Sequence, residues 1–442
     1  MDISFLWLRI HWLLGLPLII YAVGIGLICT IIFRFIQFRA FFQAWRVIIA
    51  PQKKEEKQGD MTPFQAFLNT LSTNLGNGSV VGAATAIVSG GPGAGIWVLL
   101  VGLFMMAIRF AEVYASTWYG MRAPKNTTLG GPMLYLKEVW GGAVLSGLYG
   151  VGCLIFGLLV GNAMQMHSIR MSIETTWGFD TYAIAVCITA FIAYVLFGGA
   201  QRIIAVSDKI VPVKVIVFFG ASFLLIAYHS GALYGALQLM IQGAFQPQAM
   251  LGGALGFTVM QAIQAGMNLS VTATESGLGT AAILFGYTGS TDPIKSGLMG
   301  MISTFVSSLV CFLVALSIVI SGVWDSGLKS SALTISAFNT VFGQWGGWIV
   351  SFLSISFGVG VVVAFAYITR AAWFSITGGK YEYVFYALYC AAAFWGSVAQ
   401  VDLVWGAVAI INGTLLTINL TGLLLLMPRL ARYLRSSEKE AA

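Results

Sequence analysis

The feature that most constrains this chain is a succession of long apolar runs separated by short polar or glycine-rich stretches. Only 9% of its 442 residues are charged, whereas 58% are hydrophobic. So small a polar fraction does not cover the surface of a soluble domain of this size. In a bilayer, backbone polar groups must be satisfied within the protein, which leaves helices of roughly 20 residues or closed barrels as spanning structures. Because the runs lack the alternation of barrel strands, we predict an all-α integral membrane protein.

Eleven apolar runs are long enough to be spanning helices. They cover residues 12–33, 64–89, 93–118, 147–169, 181–199, 211–229, 251–285, 297–321, 346–369, 383–400 and 403–427. The first run has neither a basic region before it nor a small-residue cleavage pattern after it, so we expect it to be retained as a helix. Residues 33–50, where three arginines lie among aromatic residues, are typical of a helix at the membrane interface, and the charged linker 51–60 follows.

The distribution of lysine and arginine predicts the orientation. With the N-terminus outside, the eleven spans place 20 of these residues on the cytoplasmic side and 3 on the other, which accounts for all 23. A single missed helix would invert every later loop, so this bias favours both the count of eleven helices and a cytoplasmic C-terminus. We expect the membrane to be a bacterial inner or plasma membrane. The net charge of +7 indicates anionic lipid head groups as partners. The basic residues form no single face, so no nucleic-acid partner is expected.

No pattern typical of an enzyme or of a metal centre is visible in the sequence. The five cysteines lie singly within apolar runs, and the three histidines have no partner at ligand spacing. There is no Ser/His/Asp set, no P-loop and no acidic pair in a membrane-facing cleft. We therefore expect a protein that is not an enzyme and that has no cofactor.

Two of the runs carry polar residues and glycines in their middle. The first reads "NLGNGSVVGAATA" at 74–86, and the second reads "QAIQAGMNLSVTATESGLGT" at 261–280. Glycine costs about 1 kcal/mol relative to alanine inside a helix, and Asn and Ser offer the backbone other hydrogen-bond partners. A lone glycine is better explained by close helix packing, but two such stretches in corresponding positions predict two broken helices.

The positions of the breaks divide the chain into two blocks of five spans. The block that starts at 64 enters from the cytoplasm, and the block that starts at 251 enters from outside, so their topologies are inverted. This is the pattern of a transporter built from inverted repeats, with its binding sites at the broken helices. We expect residues 1–63 to form a first helix, an interfacial helix and a linker, 64–230 and 231–428 to form the two repeats, and 429–442 to form a basic cytoplasmic tail.

A broken helix offers binding groups of both signs. The half-helix that begins near Gly78 and Ser79 presents free N–H groups, which suit a carboxylate, and the half-helix that ends near Leu75 presents free carbonyls, which suit a cation. A zwitterion together with a cation matches this supply of groups. A pocket lined by Gly, Ala, Ser and Asn indicates a small substrate.

Several sequence blocks then resemble a known family. They are "FQAFLNTLSTNLGNGSVVGAATAIVSGGPGAGIW", "GGPMLYL" at 130–136, "GNAMQMHS" at 161–168, "TVMQAI" at 258–263, "ESGLGTA" at 275–281 and "DLVWGAVAIINGTL" at 402–415. Their order and spacing resemble the alanine or glycine:cation symporter family over nearly the whole chain. The resemblance implies the five-plus-five inverted repeat of the neurotransmitter:sodium symporters, preceded by one extra helix. It also implies sodium-coupled uptake of a small neutral amino acid, with sodium as the coupling ion.

The breaks and the matched blocks together supply the candidate site residues. For substrate binding they are Asn77, Gly78, Ser79, Gly161, Asn162, Gln165, Gln261, Gly266 and Phe365, and for sodium they are Asn74, Leu75 and Gly76.

The site residues depart from the family's usual pattern. The first break has Asn77 and Ser79 where the family usually has Thr and Asn, and Phe365 stands where it usually has Trp. In the second break, Gln264 and Leu269 replace two arginines, and Thr274, Glu275 and Ser276 replace Asn-Glu-Ala. In the ninth helix, Gly360 and Val361 replace a Ser-Thr pair.

The change in the ninth helix bears on the coupling ion. Losing a hydroxyl pair removes two hard oxygen ligands, and Ser354 and Ser356, about one turn away, are the available substitutes. We favour sodium as the coupling ion. Proton coupling and an uncoupled facilitator or sensor stay open as alternatives.

Glu275, Arg109 and Glu112 lie within the spans and need a reason, because a charge at membrane depth costs at least about 2.5 to 3.5 kcal/mol. For Glu275 the possible roles are a fixed structural anion, a protonated acid in the same place, or a proton-coupling site. Arg109 and Glu112, three residues apart near the cytoplasmic end of their span, are interpreted as an intrahelical ion pair.

Overall fold

The computed structural model describes residues 15–50, 59–124, 130–246, 258–399 and 402–440, without the side chains of 402–409 and 437–440. Over these residues the chain is helical and contains no β-strand. The helices are α1 (Leu16–Ile32), α2 (Ile36–Arg39), α3 (Phe41–Ile49), α4 (Pro63–Asn74), α5 (Asn77–Gly90), α6 (Ala94–Gly120), α7 (Pro132–Tyr135), α8 (Gly142–Leu158), α9 (Met164–Trp177), α10 (Thr181–Leu196), α11 (Gly199–Tyr228), α12 (Leu233–Phe245), α13 (Val259–Thr274), α14 (Thr280–Gly286), α15 (Pro293–Ile320), α16 (Ser330–Phe342), α17 (Trp345–Thr377), α18 (Glu382–Val398) and α19 (Asp402–Glu440).

Six helical stretches of the described chain are long and apolar enough to cross a membrane. They are Ala94–Gly120, Gly142–Trp177, Gly199–Tyr228, Pro293–Ile320, Trp345–Thr377 and Ile410–Ser436, and α1 and α10 are shorter apolar helices. A one-turn π-helix, Leu159–Ala163, joins α8 to α9 within the second of these stretches. The chain is therefore an all-α, multi-pass membrane protein. Each predicted run coincides with a helix or a pair of helices, except that residues 12–14, 251–257 and 400 lie outside the described part.

Both predicted helix breaks are confirmed. The first leaves Leu75 and Gly76 between α4 and α5. The second spans residues 275–279 between α13 and α14, where Glu275, Gly277 and Gly279 have φ values of +51°, +97° and +83°. Glycine adopts this left-handed region freely, which explains two of the three residues, whereas a glutamate there needs support from its neighbours.

The interfacial segment is shorter and more broken than the predicted helix over 33–50. Arg34 and Phe35, both with positive φ, separate α1 from α2, and α3 follows. Phe41 and Trp45 of α3 pack against Phe305 of α15, with ring centroids 5.0 and 6.5 Å apart. This packing holds the segment against the helix bundle. The linker predicted at 51–60 lies outside the described residues up to position 58.

Two helices between the spans were not predicted. The helix α12 packs on α6 and α15, and the indole of Trp97 donates a hydrogen bond of 3.1 Å to the Ala244 carbonyl. The helix α16 packs on α5 and α17 and buries Leu333 and Phe338. Both helices are too short to span a bilayer, so hydropathy alone gave no reason to place them.

The 20 lysines and arginines counted on the cytoplasmic side include Arg109 and Lys214. The side chains of Arg109 and Lys214 are fully buried among the helices, so neither belongs to a loop. Without these two residues, the predicted cytoplasmic side still has far more lysine and arginine than the other side. Arg109 binds the backbone of the second break, and Lys214 binds the backbone of the first.

Candidate functional site

The second break is closed by groups from neighbouring helices. The guanidinium of Arg109 donates to the carbonyl of Thr274 and, at 3.3 Å, to the hydroxyl of Thr304. Glu112 accepts a 3.0 Å hydrogen bond from the backbone N–H of Gly279 and lies 3.6 Å from Arg109. The interpretation of Arg109 and Glu112 as only an intrahelical pair was therefore incomplete, because both residues also bind the unwound backbone.

A buried asparagine completes this network. The Asn419 Nδ2 group donates to Glu112 at 2.6 Å and to the Gly277 carbonyl at 2.8 Å, and its Oδ1 accepts from the Tyr135 hydroxyl at 2.6 Å. The Tyr149 hydroxyl donates to the Leu278 carbonyl at 2.6 Å. These contacts give the backbone groups freed by the break the partners that a lipid environment requires.

Glu275 lies within this closed break. Its carboxyl accepts a 2.8 Å hydrogen bond from the Thr280 hydroxyl at the start of α14, and the residue is 8% exposed. The neighbouring Ser276 hydroxyl lies 3.1 Å from that of Thr304. Glu275 is thus hydrogen-bonded within the break, and the three roles predicted for it stay predictions.

The first break is different because open space lies beside it. Gly76 precedes α5, and no side chain caps the free N–H groups of that helix. Gly78 is exposed, and a Cβ built on it would meet nothing within 4 Å. The Ser79 hydroxyl points back and donates to the Asn74 carbonyl at 3.1 Å. The Ser79 N–H donates to the Gly76 carbonyl at 3.0 Å. The N–H groups of Asn77 and Gly78 are thus the donors left at the start of α5 beside this space.

Three buried polar atoms without a partner among the described residues belong to the first break and its surroundings. They are the Nδ2 atoms of Asn74 and Asn77 and the Oε1 atom of Gln165. The Gln165 oxygen lies 3.6 Å from a Cβ built on Gly76, and the other atom of the Asn77 amide accepts from Ser354 at 2.7 Å. Two donors and one acceptor near a helix N-terminus are complementary to a carboxylate and an ammonium group.

Three other predicted substrate residues lie at the π-helical turn before Gln165. A Cβ built on Gly161 would lie 2.2 Å from the ring of Phe365, so that the ring covers the π-helical turn. Asn162 in the same turn donates to the Tyr389 carbonyl at 2.7 Å. These contacts fix the π-helical turn that leads into α9, on which Gln165 lies.

The structure does not bring Gln261 and Gly266 to the first break. Gln261 forms a capping box with Thr258 at the start of α13, and its carbonyl lies beside Gly90. Gly90 is twelve residues beyond Gly78 on α5, or about 18 Å at 1.5 Å per residue. Gly266 packs against Trp97 of α6. Both residues serve the packing and capping of α13.

The carbonyl end of the first break already has a cationic partner. The Lys214 ammonium group on α11 donates to the carbonyl of Leu75 at 3.0 Å and to the carbonyl of Ser72 at 3.1 Å. Leu75 is one of the three residues predicted to bind sodium. Lys214 was not predicted as a site residue, although a single lysine inside the apolar run 211–229 was the signal that could have found it.

The two serines suggested as substitute sodium ligands have other partners. The Ser354 hydroxyl binds Asn77, and the Ser356 hydroxyl donates to the Leu353 carbonyl of its own helix at 3.0 Å. Gly360 and Val361, which replace the Ser-Thr pair of the family pattern, do lie against the first break. A Cβ built on Gly76 would lie 2.8 Å from Val361, and the Gly360 carbonyl accepts from Ser72 at 2.8 Å.

Known proteins similar to this chain are membrane transporters. A transporter of Haemophilus influenzae is 31% identical over 427 residues, which cover 95% of this chain and 91% of that protein. A sodium/alanine symporter of Methanococcus maripaludis is 28% identical, with 96% and 93% of the two chains covered. A probable sodium/glutamine symporter of Bacillus subtilis is 28% identical, with 92% and 85% covered.

The fold is similar to that of a solved Na⁺-coupled sialic acid symporter, with a TM-score of 0.58 and 12% identity over 94% of this chain and 86% of that one. At this identity the likeness concerns the fold alone. The profile of the sodium:alanine symporter family matches residues 5–442. The chain therefore belongs to the sodium:alanine symporter family.

Proposed function

We propose that this protein is a secondary transporter that moves a small neutral amino acid across the cell membrane by alternating access. Amino-acid:cation symport is the activity that the family and its named members support. The observation that carries the proposal is the first helix break, where an uncapped helix N-terminus, open space and unpartnered amide atoms lie together. The partners that it implies are the amino acid, a coupling cation and the surrounding lipids.

We further propose eleven spanning helices arranged as one extra helix and two inverted five-helix repeats, over 64–230 and 231–428. Both broken helices start with the same capping box, Thr62 with Gln65 and Thr258 with Gln261. The helix packing is also symmetric between the two repeats. The equivalent helices α6 and α15 pack on each other, and so do α10 and α18. The contact of α8 with α19 has its counterpart in the contact of α17 with α11. Local capping and long-range packing thus both support a two-fold pattern.

In the proposed site, the substrate carboxylate binds the N–H groups of Asn77 and Gly78 at the positive end of α5. The Ser79 N–H takes no part, because it donates to the Gly76 carbonyl. The free amide N–H groups of Asn74 and Asn77 add donors to the carboxylate, and the Gln165 oxygen accepts from the substrate ammonium group. Phe365 and the π-helical turn close the wall behind it. The absence of a side chain at Gly78 lets the carboxylate approach the backbone.

Counterflow in proteoliposomes tests this function. Vesicles loaded with unlabelled alanine or glycine should take up the labelled amino acid through the wild-type protein. Gly78→Val should abolish uptake, because its side chain projects into the space beside the break. Ala84→Val on the same helix is unsuitable as the control, since Ala84 is fully buried. Thr85→Val, which changes an exposed residue of α5 without changing its size, is the matched control and should leave counterflow unchanged.

Two results would contradict the proposal. Normal counterflow by Gly78→Val would remove the carboxylate site from the start of α5. Absence of counterflow for every small neutral amino acid by the folded wild-type protein would remove the proposed substrate class.

A further inference from the structure

We propose that the ammonium group of Lys214 is the cation of the first helix break, so that substrate binding and transport by this protein do not require sodium there. The transport part of this inference rests on the proposed function, whereas the sodium-binding part does not.

All three N–H bonds of the Lys214 ammonium group have an oxygen partner at the break. They are the Leu75 carbonyl at 3.0 Å, the Ser72 carbonyl at 3.1 Å and the Ser72 hydroxyl at 3.4 Å. An ammonium group has three donors, so its hydrogen-bonding capacity is used here. The residue is fully buried, and its Nζ atom lies 5.4 Å from the centre of the Phe357 ring. The charge is held by the negative end of α4 and by the ring face.

The neighbouring ninth span has the shape that this lysine requires. A Cβ built on Gly360 would lie 2.7 Å from the Lys214 Nζ atom and 2.9 Å from the Ser72 hydroxyl. A serine or threonine at position 360 would therefore require the ammonium group to move away from this position. The missing hydroxyl at Gly360 and the lysine at position 214 are two parts of one arrangement, in which a tethered ammonium group takes the place of a hydroxyl-ligated ion.

Two physical reasons exclude sodium from the same place while Lys214 remains there. The Leu75 and Ser72 oxygens that would ligate sodium are already hydrogen-bonded to the ammonium group. A second cation among these oxygens would also lie within a few ångströms of a like charge in a region shielded from water, where repulsion is strong. A tethered charge does not cross the membrane with the substrate. A sodium gradient therefore does not drive accumulation through this position.

Sodium binding can be measured on the purified protein without any substrate. The melting temperature in detergent is followed while choline chloride is replaced by sodium chloride at constant ionic strength. Wild type should not be stabilised by sodium. Lys214→Ala should be stabilised saturably by sodium, because the substitution frees the Ser72 and Leu75 carbonyls. Lys214→Met should not, because an apolar side chain of similar length still fills the space.

The exposed Lys209 on the same helix provides the matched control, and Lys209→Ala should behave as wild type. The inference would be overturned if sodium stabilised the wild-type protein saturably at these carbonyls. In that case the stabilisation would be lost in Gly76→Val and retained in Lys209→Ala. If Lys214→Ala does not fold, the wild-type and Lys214→Met titrations still decide it.

Counterflow provides the transport readout. Wild-type counterflow should be the same in sodium and in choline, within about twofold. Lys214→Ala should lose about tenfold or more in choline, since a hydrogen bond to a charged group contributes at least that factor, and sodium should restore part of the loss. A wild-type rate that rises saturably with sodium would overturn the inference. No counterflow in either salt would contradict the proposed function instead, and the melting experiment would still test the role of Lys214.

Discussion

Replacing Asn419 by leucine tests whether the second break depends on side chains from distant helices. The substitution keeps a similar volume but removes three hydrogen bonds, of 2.6, 2.8 and 2.6 Å, to Glu112, the Gly277 carbonyl and the Tyr135 hydroxyl. Hydrogen bonds inside membrane proteins contribute about 0.6 kcal/mol on average and about 1.7 kcal/mol at most. Three of them give an expected loss of about 2 to 5 kcal/mol in the free energy of unfolding.

The structure places the expected loss towards the upper part of this range. Without Asn419, the Gly277 carbonyl and the Tyr135 hydroxyl lose the partners described above, and each orphaned buried group costs about 1 to 3 kcal/mol. Glu112 is less affected, because the Gly279 N–H still donates to it. The loss therefore arises mainly from the carbonyl and the hydroxyl.

Reversible unfolding in mixed micelles, titrated with sodium dodecyl sulfate, measures this loss. Thr414→Val is the matched control on the same helix, since the exposed Thr414 donates only to the Ile410 carbonyl of that helix, and it should change the stability by less than about 0.5 kcal/mol. A loss of less than about 0.5 kcal/mol for Asn419→Leu as well would refute the reasoning.

A double-mutant cycle with Tyr135→Phe isolates one bond of the network. The two losses should be less than additive, with a coupling of about 0.6 to 1.7 kcal/mol. Additivity within about 0.3 kcal/mol would mean that the 2.6 Å contact contributes nothing measurable.

Two further expectations concern coupling and topology. Glu275→Gln keeps an oxygen that accepts from Thr280, so substrate accumulation should persist; accumulation that is lost while exchange is retained would instead assign proton coupling to this residue. A reporter fused after residue 442 should report cytoplasm and one inserted in 235–245 should report the outside, and a cytoplasmic signal from 235–245 would contradict the proposed order of the fifth to seventh spans.

Much of the fold was predictable because the membrane makes local sequence decisive. Without water to pair with the backbone, an apolar run has to be helical, and the described helices follow the predicted runs. The two breaks were also predictable, because glycine and small polar residues lower helix stability wherever they are placed. The grouping of Asn77, Gly78 and Gln165 at the first break follows from the half-helix argument and the family resemblance together. The helices α12 and α16 escaped prediction because each has 13 residues, which is too short to span a bilayer.

The sequence by itself determined that two helices break and that their freed backbone groups need partners. Only the tertiary structure decided which side chains supply them. Lys214 lies 142 positions from Ser72, and Asn419 lies 307 positions from Glu112. Leaving a buried polar group unpaired costs free energy, whichever helix could provide its partner. This cost therefore requires a partner but does not determine where in the chain that partner lies. That place follows from how the helices pack, because packing alone brings a lysine to the carbonyls of one break and an asparagine to the carboxylate of the other.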